Sequence, residues 1–460
     1  MIGIGCIVGA GIFVITGTAA AQHAGPAVLI SFLIAALGCL FAGLCYAEFA
    51  AMIPASGSAY TYAYATMGRL AAWFIGWNLL LEYGVSASTV AVGWSGYFVS
   101  LLSNFGIPFP AALANAPLAG SGYADLHPTG ALVNLPAVAI VLGLTWMLVI
   151  GVRESAVFNS AMVVIKTGII LVIIAFGLPY VDSTHLTPFI PPNEGAFGKF
   201  GVSGILAASG MIFFAYIGFD AVSVAAQEAK NPKRDVPIGI LASLVICAVL
   251  YVLMALVLTG IADWRTLDVP NPVSFAIEKI PALGWLVIPV NVGAFVGLAS
   301  VVFVSLYGQS RIFYCMAEDG FIPPLFAAVH PRFKTPHLGT VVTGVFVAIL
   351  AAIFPLDILA DLVSIGTLLA FVVVCAGIMM LRVTAPNAPR PFKTPWVWLV
   401  APAGILSCGL MMFSLSGATW VRLVVWTALG VVIYAAYGVR YAKPSAWMLV
   451  QEPEAESPAE

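Results

Sequence analysis

The sequence predicts an all-α polytopic membrane protein. Its twelve transmembrane helices include two inverted repeats of five, with helices one and six broken. Three observations carry this. Of 460 residues, 62% are hydrophobic and 8% charged, against about 25% charged in a soluble domain. The apolar residues gather into twelve runs near the roughly 20-residue length that a bilayer demands. Two of these runs, the first and the sixth, hold residues that a regular lipid-embedded helix avoids.

The twelve segments cover 2–20, 27–52, 71–102, 130–150, 157–180, 201–226, 236–260, 283–315, 338–354, 357–382, 395–416 and 419–441. The third and eighth exceed the need, so they are expected to tilt or to run past the membrane surface. Gly- and Pro-rich connections such as SNFGIPFPAALANAPLAGSGYADLHPT (103–129) part the segments. The reading gives a first repeat over 1–180 and a second over 181–382, followed by segments eleven and twelve over 383–441. A cytoplasmic tail, 442–460, ends in QEPEAESPAE, which is acidic and expected to be disordered.

Charge placement sets the orientation. With the N-terminus inside, 13 of the 18 lysines and arginines fall to the cytoplasm and four (Lys199, Arg265, Lys279 and Arg422) outside, which leaves Lys166 in the membrane. Both termini are therefore expected in the cytoplasm of a multi-pass protein of the inner or plasma membrane. The net charge of −2 gives no sign of a nucleic-acid partner. All seven cysteines lie in or beside apolar segments and read as small core residues. No metal spacing appears among the histidines, and no cofactor is expected. The start shows no basic stretch or cleavage site of a signal peptide.

Segment one reads IGIGCIVGAGIFVITG, with Gly3, Gly5, Gly9, Gly11 and Gly17 crowding a helix. Each interior glycine costs about 1 kcal/mol against alanine. One reading is close helix packing through the Gly5/Gly9 spacing. Segment six, SGMIFFAYIGFDAVSVAAQE, places Gly218 beside Asp220 halfway along a span. The five-segment offset matches inverted repeats whose corresponding helices are interrupted at the midplane, with substrate between them. Freed amides at the start of a half-helix bind a carboxylate; carbonyls ending the preceding half accept from an ammonium. Paired breaks thus make a clamp for an α-amino acid.

Acidic and basic groups at membrane depth are functional by default. Glu82 lies in LLLEYGVSA and Asp220 in the segment-six break. The competing readings are a proton-sharing structural carboxyl for Glu82 and a backbone cap for Asp220. Lys166 sits mid-span in MVVIKTGIILVIIAFG, a placement that costs roughly 2.5–3.5 kcal/mol on translocon scales. Snorkelling or a permanent ion pair would explain it without a role in coupling. Glu48 reads as structural. Glu228, Lys230, Arg234, Arg311 and Asp319 read either as solvated surface or as an inner-gate network.

GAGIF, FFAYIGFDAV followed by EAKNPKRDVPIGI, RIFYCMAEDGFIPP and GWNLLLEYGVSASTVAVGWSGY together resemble the amino acid–polyamine–organocation superfamily, in its cationic amino-acid transporter branch. The resemblance runs from residue 1 to about 441 and implies the LeuT-type fold. It implies that the amides of Gly9, Ala10 and Gly11 take the substrate carboxylate, and that the carbonyls of Ile7, Phe214, Ala215 and Ile217 take the ammonium. Phe214 falls where the superfamily places an aromatic gate over the bound substrate. Lys166 stands where proton-coupled members put an ammonium in place of sodium. Met1 lies inside segment one, where relatives carry a preceding cytoplasmic stretch. The expectation is a misassigned start codon or an impaired inner gate.

The expected partners are an amino acid, a proton and the lipid bilayer. Glu82 and Asp220 suit the side chain of arginine, lysine or ornithine, with Ser305 leaving room for its length. The alternatives are a small neutral amino acid such as alanine, or exchange in place of symport. An enzyme is disfavoured, because no HExxH, Walker A or GxSxG motif is present.

Overall fold

The computed structural model describes residues 2–53, 58–120, 126–151, 156–224, 229 and 231–443. Glu228, Lys230 and all but the first two residues of the expected tail lie outside them. Each of the twelve apolar segments is helical. Among the described residues, nine helical stretches are long and apolar enough to cross a membrane, one of which joins the later part of segment one to segment two as Gly11–Met52. Segments four (Leu135–Val149) and nine (His337–Ile353) form shorter apolar helices. The third and eighth are the long ones, running as Arg69–Asn104 and Pro281–Glu318.

Burial grades from centre to rim. In segment six 78% of the most apolar window is buried, and in segment twelve 17%. Segment six is thus enclosed by other helices, while segment twelve turns Val421, Val424, Val425 and Val432 outward. Segment twelve is held by its polar and aromatic edge. Trp73 and Trp77 of segment three donate to the carbonyls of Gly430 and Trp426 at 2.9 and 2.8 Å, and Trp77 stacks on Trp426.

Elements also form in the connections, where none was expected, among them the short helix Pro272–Glu278. A ten-residue helix, Ser58–Met67, fills the connection between segments two and three. Its SAYTYAYATM sequence is too short and too polar to read as a span, yet Tyr60, Tyr62 and Tyr64 are all buried. In the Gly/Pro-rich connection after segment three, Leu118–Ala119 pairs antiparallel with His127–Pro128. The buried cysteines, Cys6, Cys39, Cys45, Cys247, Cys375 and Cys408, pack inside the helical body.

Candidate functional site

Segment one is helical over Ile2–Ile7, leaves the helix at Val8 and Gly9, and resumes at Gly11–Ile15. Segment six runs as Gly201–Ile212, tightens over Phe213–Tyr216, then breaks through Ile217–Asp220 before Ala221–Val224. The two breaks touch. A Cβ on Gly11 would lie 2.2 Å from the Ala215 Cα, and one on Gly218 would lie 2.9 Å from the Cys6 Cβ. Gly218 also has φ +112°, a region that side chains rarely enter. Gly9 abuts Val301 of segment eight, so the glycines of segment one serve close packing as well as the break.

An interrupted helix orphans backbone groups, and in lipid each must find a partner. In an unbroken helix the carbonyls of Gly5 and Ile7 would accept from the amides of Gly9 and Gly11. Here Gly5 O accepts from Lys166 Nζ, and Ile7 O accepts from the Tyr251 hydroxyl at 2.7 Å. Lys166 is fully buried and also donates to Ser300 Oγ at 3.2 Å. It therefore does not snorkel, and its partners here are a carbonyl and a hydroxyl. Gly297 makes room for it, since a Cβ there would meet the lysine stem at 3.3 Å. The ammonium thus bridges segments one and eight.

A cavity of about 30 Å³ lies against the breaks, with room for roughly one or two waters. Its walls include Ile7, Gly9, Ala10, Gly11, Glu82, Phe214, Ile217, Asp220 and Ser305. Ala215 is buried behind them against Gly11. Sequence reasoning missed Tyr83, Ser86, Val90, Val301 and Val304 in the same walls. It also missed Tyr251 and Ser300, because apolar spans give no local signal for a hydroxyl aimed at a distant carbonyl. Asp220 Oδ2 accepts from Tyr83 at 2.5 Å and Ser58 at 3.3 Å. Glu82 and Asp220 are 3% and 1% exposed. They face each other closely enough to share a hydrogen bond if one carries a proton.

The two sides of this cavity differ. On one, an open vestibule of about 1070 Å³ is lined by Val14, Gly93, Ser100, Asn271, Asp268, Glu278 and Asp357, among others. Its floor is thin: Gly93 lies about one helical turn from the cavity residue Val90. A Cβ on Gly93 would touch Val14 at 3.1 Å, Leu356 at 3.6 Å and Ala10 at 3.7 Å. On the other side the buried helix Ser58–Met67 plugs the path. Tyr46 and Ser58 hydrogen-bond there, and Tyr60 donates to Asp319 Oδ2 at 2.6 Å.

Of the charged residues expected at this end, Asp319 meets Tyr60, and Arg311 stacks over Tyr307 at 4.2 Å. Glu48 is fully buried, is not among the cavity-lining residues, and anchors Arg382 at 2.8 Å, Arg390 at 3.1 Å and the Thr394 amide at 2.8 Å. No group of three or more His, Cys, Asp or Glu able to hold a metal occurs among the described residues.

Broken apolar helices around a small cavity that holds two buried carboxyls, with a vestibule on one side and a plug on the other, define a polytopic membrane carrier. The comparisons give its family. Residues 1–441 match the amino acid permease family, and the chain belongs to it, within the amino acid–polyamine–organocation superfamily. It is 44% identical to the methylthioribose transporter of Bacillus subtilis (strain 168) over 444 residues, 96% of this chain and 92% of the relative. The same figures relate it to the branched-chain amino acid permease BcaP of that organism. Cationic amino acid transporter 4 of Mus musculus is 37% identical over 389 residues, 85% of this chain and 59% of the relative. The chain is thus a membrane-embedded permease and not an enzyme.

Proposed function

We propose that this permease carries cationic L-amino acids, arginine, lysine or ornithine, into the cell with protons. The single observation behind this substrate class is that two buried carboxyl side chains, Glu82 and Asp220, line a cavity to which no lysine or arginine contributes among the described residues. A guanidinium or ammonium is the group that satisfies them. The amides of Gly9, Ala10 and Gly11 hold the α-carboxylate, and the carbonyls of Ile7, Phe214, Ala215 and Ile217 take the α-ammonium. Ile7 O spends one lone pair on Tyr251 and has another to offer. Phe214 closes over the substrate, and Ser305 admits the side chain.

In this reading Lys166 is the coupling group. Charged, it ties Gly5 to Ser300 and holds the broken segment one against segment eight; neutral, it lets them part. The chain is read as twelve spans in the LeuT-type fold, with inverted halves at 1–180 and 181–382 and segments eleven and twelve at 383–441. Both termini face the cytoplasm, including the tail 442–460. That puts the vestibule outside and the Ser58–Met67 plug inside.

A second reading, a neutral amino acid, is favoured by the valine wall of Val90, Val301 and Val304. It accords with the name of the branched-chain relative. Proteoliposomes separate the two: labelled arginine and alanine are each competed with the full set of amino acids, with and without an imposed pH gradient. Cationic competitors are expected to displace arginine and the gradient to drive it. Uptake blocked by leucine and untouched by lysine would favour the second reading. Dependence on an internal counter-substrate would replace symport by exchange.

A further inference from the structure

Glu82 and Asp220 come from segment three and the break of segment six, yet both line one small cavity, with their carboxyls within hydrogen-bond reach of each other. Asp220 Oδ2 has Tyr83 and Ser58 as donors. Among the described residues, Glu82 Oε1 and Asp220 Oδ1 have no hydrogen-bond partner, although both residues are more than nine-tenths buried. Two ionised carboxylates offer each other no donor, and their repulsion is strong where water is excluded. Among the described residues, the ionisable groups around the pair are Tyr46, Tyr62, Tyr83 and Cys6, none of them a cation. Lys166 is engaged by Gly5 and Ser300. One proton between the carboxyls supplies the missing donor and leaves the pair with a single negative charge.

We infer that Glu82 and Asp220 share one proton in the empty cavity, and that a cationic substrate side chain displaces it. This deepens the cationic reading above and rests on it. The balance is simple. Arginine enters with one positive charge, the shared proton leaves to the vestibule water, and the site keeps a net charge of minus one. After arginine is released inside, the pair takes a proton from the cytoplasm and carries it back on the return. A neutral substrate leaves that proton in place throughout. Arginine is therefore carried with one proton fewer than a neutral amino acid, so that pH-driven arginine uptake requires a neutral amino acid to enter with at least two, while the charge moved per cycle is the same for both.

The test is titration calorimetry of the purified full-length protein with arginine, citrulline and alanine, in buffers of different ionisation enthalpy, which counts protons released on binding. Arginine is expected to release about one proton more than either neutral ligand. In Glu82→Gln that difference disappears, and arginine binds at least about tenfold more weakly, since a lost charge-assisted contact is worth about 1.5–3 kcal/mol. If the purified variant does not hold its fold, reversal experiments on the unmodified protein in liposomes read the same quantity. At zero membrane potential, each pH unit should balance about a tenfold larger gradient of a neutral substrate than of arginine. Equal proton counts for arginine and the neutral ligands would overturn the inference and leave the cationic reading standing. Binding of neutral amino acids with none of arginine would overturn both.

Discussion

Lys166 and Tyr251 do one job at the residue scale: each supplies the hydrogen that a broken helix denies to a carbonyl of segment one. The lysine was conspicuous in the sequence because an ammonium in an aliphatic run demands a reason. The tyrosine was not, because an aromatic residue in a span has many. Glu82 and Asp220 stood out for the same reason as the lysine, but their contact depends on how segments three and six pack, which no local pattern encodes. Lys166→Met is expected to abolish uptake driven by a pH gradient while keeping arginine counterflow, measured side by side in proteoliposomes. Full gradient-driven uptake in that variant would remove Lys166 from the coupling. Tyr251→Phe deletes one hydrogen bond of net worth about 0.5–1.5 kcal/mol. Its arginine affinity should fall by roughly two- to tenfold in a binding assay.

At the scale of elements, the two breaks were legible, since glycine and aspartate inside a span are expensive enough to be noticed. Segment existence was legible too, because length and hydropathy are set by the bilayer. The helix Ser58–Met67 was not. Its tyrosines are buried against neighbours such as Phe321 and Phe49, and its role comes from what it covers. Gly11→Ala and Gly218→Ala should each separate the breaks. The new methyl meets Ala215 or Cys6 well inside van der Waals contact, and overpacking of this kind costs about 1–3 kcal/mol. Loss of substrate-induced thermal stabilisation in detergent, with the unliganded protein still folded, is the expected signature.

The plug carries a pH dependence. Burial pushes the Asp319 carboxyl above its ordinary 3.8, and the Tyr60 hydroxyl only partly offsets this. The protonated form is thus the one the folded state favours. The destabilisation from this group is full above the raised value and fades as pH falls toward 3.8. Asp319→Asn should raise Tm most near neutral pH, with the gap to the unmodified protein closing on acidification. Parallel Tm–pH curves would contradict this.

For the whole molecule, the burial gradient from segment six to segment twelve, the open vestibule and the opposing plug describe a carrier closed around its site and sealed more deeply on one side. In the orientation proposed above, the plugged side faces the cytoplasm. Cysteines introduced at the exposed positions Ser183 and Arg332 report on this. Ser183→Cys should react with an impermeant thiol reagent from outside intact cells, and Arg332→Cys only after permeabilisation, each read against the parent protein. The measurement that bears most directly on the account is a structure with a bound amino acid. It should place the α-carboxylate within hydrogen-bond reach of the Gly9, Ala10 and Gly11 amides and the α-ammonium against the carbonyls at the two breaks. An amino acid seated elsewhere, with the breaks closed on each other as they are when empty, would contradict it.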